Sequence, residues 1–462
     1  MSTPIHQIDD AGRRAVRRAA GASFIGNFIE WFDYASYGYL AVVIGEVFFP
    51  DSDPTTRLLS AFAVFAMSFI LRPIGAIIWG AWGDRKGRKW ALSWSILIMS
   101  ASTVIVGCLP GYDRIGIWGA IALLLARMAQ GFSASGEYAG AATFLAEYAP
   151  PARRGIYVSL VPASTAAGLL VGSLSVSALF AALDHDSMLA WGWRIPFLVA
   201  GPLGLIGRYI RTHLEDSPAY TQLRNRLESQ QKAAAREQGG GTPSSGIEPL
   251  RKLLRHHRGA VLTGFGVSCL NAVAFYLLLS YMPSFVSTEL GFPETQATLA
   301  TSVTLALYIA LIMVMGHISD LIGRKRIMII AAVAFVAGTI PVFHIMTHAS
   351  LLALIGCELL FALMLTLNDG TLASFLAELF PTDVRYSGFA LSFNMANTLL
   401  GGTSPFIATW LIKLTGTPIA PAYLLTAVAA LALVALVASQ VHLRSDLTSE
   451  SGTATQEPTT AR

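Results

Sequence analysis

The sequence Gly80-x-x-x-Asp84-Arg85-x-Gly87-Arg88-Lys89 has a counterpart in the second half of the chain, Gly316-x-x-x-Asp320-x-x-Gly323-Arg324-Lys325. A second pair of strings is offset in the same way. Phe144-Leu145-Ala146-Glu147 leads to Pro150, Arg153 and Gly155, and Phe375-Leu376-Ala377-Glu378 leads to Pro381, Arg385 and Gly388. In membrane proteins, repeats of this kind indicate two copies of one structural unit, related by an axis along the membrane normal.

The composition excludes a soluble enzyme. The 462 residues are 54% hydrophobic and 13% charged, and the mean hydropathy is +0.56. Soluble domains contain roughly 25% charged residues, so this chain has too little charge to cover a surface that faces water. Cys108, Cys269 and Cys357 lie far apart in apolar runs, which argues against a disulfide framework or a metal site. We therefore expect no cofactor and no metal.

Apolar segments long enough to cross a bilayer, about 20 residues each, occur twelve times. They predict an all-α integral membrane protein with twelve transmembrane helices in two pseudo-symmetric six-helix bundles. The predicted spans are 20–44, 59–82, 90–109, 116–147, 155–183, 193–211, 259–282, 296–317, 327–346, 350–380, 389–413 and 419–442.

Lysine and arginine set the predicted orientation, because short cytoplasmic loops accumulate these residues. Nearly all of them lie before the first span, in the connections that follow the even-numbered spans or after the last span, and none forms a patch suited to nucleic acid. Both termini should therefore be cytoplasmic. The predicted segments are a cytoplasmic N-terminal segment 1–19, a first bundle 20–211, a cytoplasmic central loop 212–258, a second bundle 259–442 and a cytoplasmic tail 443–462.

With these motifs the chain resembles the major facilitator superfamily, over nearly its whole length. Further strings resemble the metabolite:proton symporter branch and, within it, the proline/glycine-betaine transporters. They are Gly26-Asn27-x-x-Glu30-Trp31-Phe32-Asp33, Arg72-Pro73-Ile74-Gly75, Gln130-Gly131-Phe132-Ser133, Gly136-Glu137-Tyr138 and Trp191-Gly192-Trp193-Arg194-Ile195-Pro196-Phe197.

The resemblance implies uptake of a small polar metabolite by alternating access, driven by the proton gradient across the bacterial inner membrane. A zwitterionic osmolyte such as proline or glycine betaine is the leading substrate. A di- or tricarboxylate of the 2-oxoglutarate or citrate type is the alternative, and a metabolite exporter of the same fold is a third. The expected partners are this substrate, protons and the lipid bilayer, with no nucleic acid, and the expected functional unit is a monomer.

Three carboxylates within the apolar spans, Glu30, Asp33 and Glu137, are the candidates for proton coupling. A charge within the hydrocarbon layer costs at least ~2.5–3.5 kcal/mol, so we expect each of these residues to serve a functional or structural purpose. Glu30 and Asp33 are three residues apart on one helical face and should not both remain ionised. Alternatively, Glu30 forms an ion pair with Arg72 or Arg127, and Glu137 binds a substrate ammonium or pairs with Arg127.

Candidates for substrate binding come from both halves: Asn27, Tyr34, Tyr37, Arg72, Arg127, Asn271, Tyr276 and Asp369. The arginine guanidinium groups can bind a carboxylate through two hydrogen bonds. Asp369 could meet a substrate ammonium, and the aromatic rings of the first span could bind it through cation–π contacts. The alternatives are an inter-helix ion pair for Arg72, pairing of Asp369 with Asn394 or Asn397, and ordinary aromatic packing.

The repeated motifs supply charged residues of both signs near the predicted cytoplasmic ends of the helices. The resemblance implies that they form a cytoplasmic gate, which holds the two halves together in one state and separates in the other. Exposed ion pairs suit this purpose because each contributes only ~0–1 kcal/mol. The alternative is that the cations merely set orientation. The candidates are Asp84, Arg85, Arg88, Glu147, Arg153, Arg154, Asp320, Arg324, Glu378 and Arg385.

Overall fold

The computed structural model describes residues 10–75, 78, 88–149, 151–212, 253, 255–381 and 384–439. Asp84 and Arg85 of the first loop motif lie outside these residues, as do most of the central segment 212–258 and the tail 443–462. The side chains of Arg88, Glu137 and Glu147 also lie outside the described set, although their backbones are helical.

The described residues form twelve helical passages, which we label α1 to α12, and contain no β-strand. Each predicted span corresponds to one passage. Their bounds are Asp10–Tyr39 with Ala41–Phe48 (α1), Pro54–Ile70 (α2), Arg88–Cys108 (α3), Ile117–Ser133 with Glu137–Tyr148 (α4), Arg154–Val158 with Leu160–Ala182 (α5), Ile195–Thr212 (α6), Arg258–Phe275 with Met282–Thr288 (α7), Glu294–Ile322 (α8), Arg324–Met346 (α9), Leu351–Leu379 (α10), Arg385–Ala396 with Ser404–Thr415 (α11) and Ala420–Ala438 (α12).

Several passages are irregular in the middle. A 3₁₀ turn, Ala134–Gly136, divides α4, and π-helical turns, Tyr276–Tyr281 and Asn397–Gly401, interrupt α7 and α11. Among the described residues, seven helices are long and apolar enough to cross a membrane. The helix of α1 begins at Asp10, so the predicted N-terminal segment 1–19 is helical in its described part.

The outer surface of the bundle is apolar, as a lipid-facing surface should be. Leu352, Leu321 and Val437 are among the many large aliphatic side chains that point outward. An uninterrupted apolar surface of this kind is unusual for a soluble protein and marks a lipid interface. Polar and charged side chains are instead enclosed between the helices.

The two halves meet closely along α5 and α8. The Ser173 hydroxyl donates to the Thr298 carbonyl oxygen at 3.0 Å and lies 2.8 Å from the Ser302 hydroxyl. Farther along the same helices, a Cβ added to Gly155 would lie 2.3 Å from the Gly316 carbonyl oxygen. The glycine of the repeated motif at position 316 is therefore needed because two backbones touch there.

Gly323, another glycine of the second loop motif, is needed because of its backbone conformation. Its φ of 103° between α8 and α9 lies in a region that L-residues with a side chain rarely adopt. It forms the sharp turn that places Arg324 at the start of α9, beside the end of α8. We call this end of the bundle, which carries Arg154, Asp320 and Glu378, the loop-motif end.

Candidate functional site

Asp33 and Arg127 form a buried ion pair at the centre of the first half. Arg127 Nη1 lies 3.0 Å from Asp33 Oδ2, and both side chains are almost fully enclosed. The same Nη1 donates to Gln130 Oε1 at 2.8 Å, while Gln130 Nε2 donates to Asp33 Oδ1 at 3.1 Å and to Thr103 Oγ1 at 2.7 Å. This network joins α1, α3 and α4 through hydrogen bonds that converge on the Asp33 carboxylate.

Glu30 forms an ion pair with a different arginine, Arg72. Arg72 Nη2 lies 3.4 Å from Glu30 Oε1, and both residues are buried. The alternative of an ion pair between Glu30 and Arg72 is thus observed. Each carboxylate thus has a separate guanidinium partner, and the expectation that Glu30 and Asp33 do not both remain ionised stays a prediction.

An aromatic cluster lies next to these ion pairs and joins the two halves. We define it as Trp31 and Tyr34 of α1, Phe65 and Phe69 of α2, and Tyr276 of α7. Neighbouring rings have centroids between 5.4 and 6.0 Å apart, mostly tilted or edge-to-face. The indole N–H of Trp31 and the hydroxyl of Tyr276 have no hydrogen-bond partner among the described residues.

Both guanidinium groups lie over rings at this site. Arg72 Cζ is 4.2 Å from the centroid of Phe69 and 5.0 Å from that of Tyr34. Arg127 Cζ is 5.0 Å from the centroid of Tyr34 and 4.3 Å from that of Tyr37. The rings can therefore accept a cation at their faces, and Tyr34 lies between the two arginines.

Asn27 and Tyr37 make contacts within the first half. The Asn27 amide donates to Ser164 Oγ at 2.8 Å and Thr165 Oγ1 at 2.7 Å, which fixes α1 against α5. The Tyr37 hydroxyl donates to the Ala61 carbonyl oxygen at 2.9 Å, and its ring stacks on Phe65. These side chains support the positions of Glu30, Asp33 and the aromatic cluster.

Asp369 of α10 lies in the second half with aromatic and amide neighbours. The Tyr308 hydroxyl donates to Asp369 Oδ2. Tyr138 of α4 faces the same carboxylate across the interface between the halves, and Asn271 of α7 is also adjacent to it. Neither Asn394 nor Asn397 makes a hydrogen bond to Asp369 among the described contacts, since Asn397 Nδ2 donates to the Phe393 carbonyl oxygen. The partner of Asp369 is therefore Tyr308, which the sequence analysis did not identify.

Charged side chains of the two halves form ion pairs with one another at the loop-motif end. Arg154 Nη1 lies 3.1 Å from Glu378 Oε1, and Arg324 Nη2 lies 3.3 Å from the same oxygen and 2.6 Å from Asp320 Oδ1. Asp320 also accepts hydrogen bonds from the backbone N–H groups of Gly155 at 2.8 Å and Ile156 at 3.3 Å. A carboxylate of the second half thus caps the N-terminus of a helix in the first half.

The predicted alignment of the repeated strings requires one correction. Arg153, which was matched to Arg385, is exposed, whereas Arg154 is buried and makes the cross-half ion pair. Arg154 Nε donates to the Ala146 carbonyl oxygen and Arg385 Nε to that of Ala377, both at 3.0 Å. Arg154 is therefore the true counterpart of Arg385, because counting from Glu147 and Glu378 reaches Arg154 and Arg385 after equal intervals.

The opposite end of the bundle is also closed. The Tyr39 hydroxyl at the end of α1 donates to the Leu279 carbonyl oxygen of α7 at 2.6 Å. Lys413 of α11 donates to Thr56 Oγ1 of α2 at 3.0 Å and lies 4.0 Å from Asp53. With contacts between the halves at both ends, the aromatic cluster and the ion pairs are enclosed between the halves.

One buried acid was missed by the sequence analysis. Glu358 of α10 is 1% exposed, and its Oε2 accepts a hydrogen bond from Thr304 at 3.0 Å. The available signal was simply an acidic residue inside the apolar run 350–380.

Comparison with known proteins identifies the family. The family model described as sugar (and other) transporter matches residues 19–442. The chain is 39% identical over 430 residues to the glycine betaine/proline/ectoine/pipecolic acid transporter OusA of Dickeya dadantii, covering 92% of this chain and 83% of that protein. It is 38% identical over 431 residues to the proline/betaine transporter of Escherichia coli K12, with the same coverage.

Solved structures agree with the predicted fold. The proton:xylose symporter XylE of the major facilitator superfamily, bound to 6-bromo-6-deoxy-D-glucose, superimposes with a TM-score of 0.72 at 18% identity, covering 92% of this chain and 95% of that one. A partially occluded, inward-open XylE from E. coli gives 0.71 at 17% identity, covering 92% and 97%. The predicted fold class, twelve helices in two bundles, is thus confirmed. The chain has the fold of the solved major facilitator superfamily structure. It is a multi-pass membrane transporter, not an enzyme, and it belongs to the sugar (and other) transporter family.

Proposed function

We propose that this transporter takes up a zwitterionic osmolyte, such as glycine betaine or proline, together with protons, by alternating access between its two halves. The names of the relatives support this substrate class. The observation that carries the proposal is the enclosed juxtaposition of Arg72 and Arg127 with the aromatic cluster, which joins the halves.

A zwitterion suits both the guanidinium groups and the aromatic cluster of this site. Its carboxylate would bind a guanidinium group, and its ammonium would bind against the ring faces of Trp31 and Tyr276. A quaternary ammonium offers no hydrogen-bond donor, so aromatic faces are the groups that bind it best in an apolar interior. Asp369 and Asn271, on the side of the second half, provide a second location for positive charge.

The charge balance of the site favours a zwitterion over a di- or tricarboxylate. Arg72 and Arg127 are each already paired with a carboxylate of α1. A citrate-type substrate would add two or three negative charges beside Glu30, Asp33 and Asp369. Transferring uncompensated charge from water costs several kcal/mol per ion. A zwitterion adds no net charge and avoids this cost.

Proton coupling follows from the Asp33–Arg127 pair. A proton that binds Asp33 removes its negative charge and weakens its hold on Arg127, so the Arg127 guanidinium becomes available for the substrate carboxylate. Substrate and proton then favour each other's binding, as symport requires. Glu137, on the second segment of α4, remains a proposed proton acceptor, and Glu30 holds Arg72 in position. The proton gradient is the energy source, and no cofactor is needed.

The proposed orientation places both termini and the loop-motif end on the cytoplasmic side of the inner membrane, in accordance with the distribution of lysine and arginine. The residues 20–211 and 259–442 would move as two units about the site, in a monomer. The contacts of Arg154, Asp320, Arg324 and Glu378 would then form the cytoplasmic gate, together with Arg385 and the residues of the first loop motif.

Uptake into proteoliposomes tests the proposal. The purified full chain should accumulate labelled glycine betaine or proline when an inwardly directed proton gradient is imposed, and an ionophore that dissipates the gradient should abolish accumulation. Citrate and 2-oxoglutarate serve as the comparison substrates. Gradient-driven accumulation of either acid without accumulation of the zwitterions would refute the proposed substrate class. Uptake that is indifferent to the gradient would refute proton coupling.

A further inference from the structure

Glu358 is a buried carboxylic acid that lies apart from the site described above. It is the eighth residue of α10, eleven residues before Asp369, so the two are about 16 Å apart along the helix axis at ~1.5 Å per residue. Its depth places it near the opposite end of the bundle, about two turns below the start of α10. Its surroundings come mainly from α8 and from the end of α1.

Among the described residues, two threonine hydroxyls are the hydrogen-bond donors to this carboxylate. Thr304 Oγ1 lies 3.0 Å from Glu358 Oε2 and Thr301 Oγ1 lies 3.5 Å from it, while Oε1 has no partner among the described residues. The titratable groups that face it are Tyr39 of α1 and, on its own helix, Cys357. Within the described chain, no lysine or arginine forms an ion pair with it.

This environment differs from those of three other buried acids, although Asp369 also lacks an arginine partner among the described contacts. Glu30, Asp33 and Glu378 each have an arginine partner. An ionised carboxylate with neither a counter-ion nor a full set of donors is costly in an apolar interior, whereas its protonated form is neutral and can itself donate one hydrogen bond. The enclosed position of Glu358 is therefore suited to the neutral acid.

Tyr39 lies near Glu358 and also makes one of the contacts that close the opposite end of the bundle. Its hydroxyl donates to the Leu279 carbonyl oxygen of α7 and thereby joins the two halves next to Glu358. If the halves separate there, Tyr39 of the first half moves away from Leu279 and Glu358 of the second half, and water reaches the carboxylate. Opening of this end thus stabilises the ionised form of Glu358. Closing returns the side chain to an environment that favours the neutral acid.

We propose that Glu358, with Thr301 and Thr304, is a proton-binding site of the second half, and that a proton must occupy it before the opposite end can close. The proposal rests on the proposed proton-coupled uptake and adds a second site to it. The proton binds a carboxylate oxygen from the aqueous side when this end is open, and it is retained as a carboxylic acid when Tyr39 closes onto Leu279.

The acid can be observed directly by infrared spectroscopy on the purified full chain, without any substrate. We expect a carboxylic-acid C=O stretching band that disappears as the buffer is made alkaline. The band should be lost in Glu358→Gln and retained in Glu289→Gln. Glu289 is the matched control because it is a half-buried carboxylate of the same half and the same end, without a role in the site.

Transport gives the second measurement. In proteoliposomes, Glu358→Gln should lose accumulation of glycine betaine driven by the proton gradient and lose the accompanying acidification of the interior. Exchange of internal for external betaine should continue, since an amide mimics the neutral acid and permits closure. Glu358→Asp, which keeps the carboxyl group, should restore part of the accumulation. Continued exchange by Glu358→Gln would also show that the variant is folded.

The outcomes separate this proposal from the proposed function. If Glu358→Gln keeps the infrared band, or accumulates betaine as the wild type does, Glu358 is not the proton site. If the wild type is indifferent to the proton gradient but the band is present and requires Glu358, proton-coupled uptake is refuted while the site stands. If a sodium gradient drives uptake in the wild type and Glu358→Gln abolishes it, the site binds sodium, and the proton assignment is overturned.

Discussion

Arg154 and Arg385 make the same hydrogen bond in the two halves of the molecule. In each, Nε donates at 3.0 Å to a backbone carbonyl eight residues earlier, that of Ala146 or Ala377. The bond fixes the guanidinium group against the end of the preceding helix. From that position Arg154 reaches Glu378 of the other half, and the repeat predicts that Arg385 reaches Glu147 in the same way.

Replacing Arg154 should weaken the closed loop-motif end. Removal of one partner from a buried ion pair costs up to about 3–5 kcal/mol, and the loss here should be smaller because Arg324 still pairs with Glu378. Arg154→Ala should therefore shift the transporter towards states open at this end. The measurement is the rate at which a thiol reagent labels Ser159→Cys, a buried position at the interface, in a Cys108→Ser background. Arg153→Ala is the matched control. Equal labelling rates in the two variants would contradict the assignment.

Gly155→Ala should prevent closure of the same end for a steric reason. The added methyl group would lie 2.3 Å from the Gly316 carbonyl oxygen, and the neighbouring backbone cannot yield without separating α5 from α8. Overpacking of this kind typically costs ~1–3 kcal/mol. Uptake should fall, while Gly356→Ala, which meets no atom within 4 Å, should transport normally. Normal uptake by Gly155→Ala would show that the two backbones are not in contact during transport.

Asp33→Asn should abolish accumulation driven by the proton gradient while exchange of internal for external substrate continues. The amide cannot bind and release the proton, yet its single oxygen can still accept one of the two hydrogen bonds that the carboxylate accepts from Arg127 and Gln130. Glu137→Gln should have the same effect if this residue also carries the proton. Accumulation ratios and exchange rates, measured on the same liposomes, distinguish uncoupling from misfolding. Full accumulation by Asp33→Asn would give this residue a structural role.

Trp31→Ala and Tyr276→Ala should raise the KM for glycine betaine by about 5- to 30-fold, equivalent to the ~1–2 kcal/mol of a desolvated cation–π contact. Trp31→Phe and Tyr276→Phe keep an aromatic face and should retain most of the affinity. Initial uptake rates over a range of betaine concentrations measure the effect. If the phenylalanine variants lose as much affinity as the alanine variants, the indole N–H and the phenol hydroxyl, rather than the ring faces, bind the substrate.

Asp369→Asn should weaken uptake of a zwitterion, because it removes a negative charge on the side of the second half. Tyr308→Phe, which takes away the hydrogen-bond donor of Asp369 and keeps the carboxylate, is its matched control. We expect a larger rise in KM for Asp369→Asn than for Tyr308→Phe. A larger rise in KM for Tyr308→Phe would instead indicate that the hydrogen bond between α8 and α10 maintains the packing of the second half.

Much of the fold could be predicted because its signals are local. Each passage is an apolar run, and the duplicated motifs fix the correspondence of the halves. The Arg153 and Arg154 ambiguity arose because two adjacent arginines follow Glu147, and only burial distinguishes them.

The partners within the site depend on tertiary packing and could not be read from spacing. Arg72 is 42 residues from Glu30 and Arg127 is 94 residues from Asp33, so the sequence could not show which arginine pairs with which carboxylate. Tyr308 was missed for the same reason, since its importance depends on Asp369 of a neighbouring helix. Glu358 was different, because an acidic residue within the apolar run 350–380 was visible in the sequence.

The π-helical turns in α7 and α11 have a mechanical consequence. In lipid, a helix that bends by breaking backbone hydrogen bonds exposes polar groups, each at a cost of several kcal/mol. A π turn carries one extra residue, and moving it by one position exchanges an i→i+5 bond for an i→i+4 bond, so the number of bonds is kept. The turn Tyr276–Tyr281 includes both the aromatic cluster's Tyr276 and Leu279, the acceptor for Tyr39. It gives α7 a hinge that can change direction between the substrate and the opposite end without exposing its backbone to the membrane.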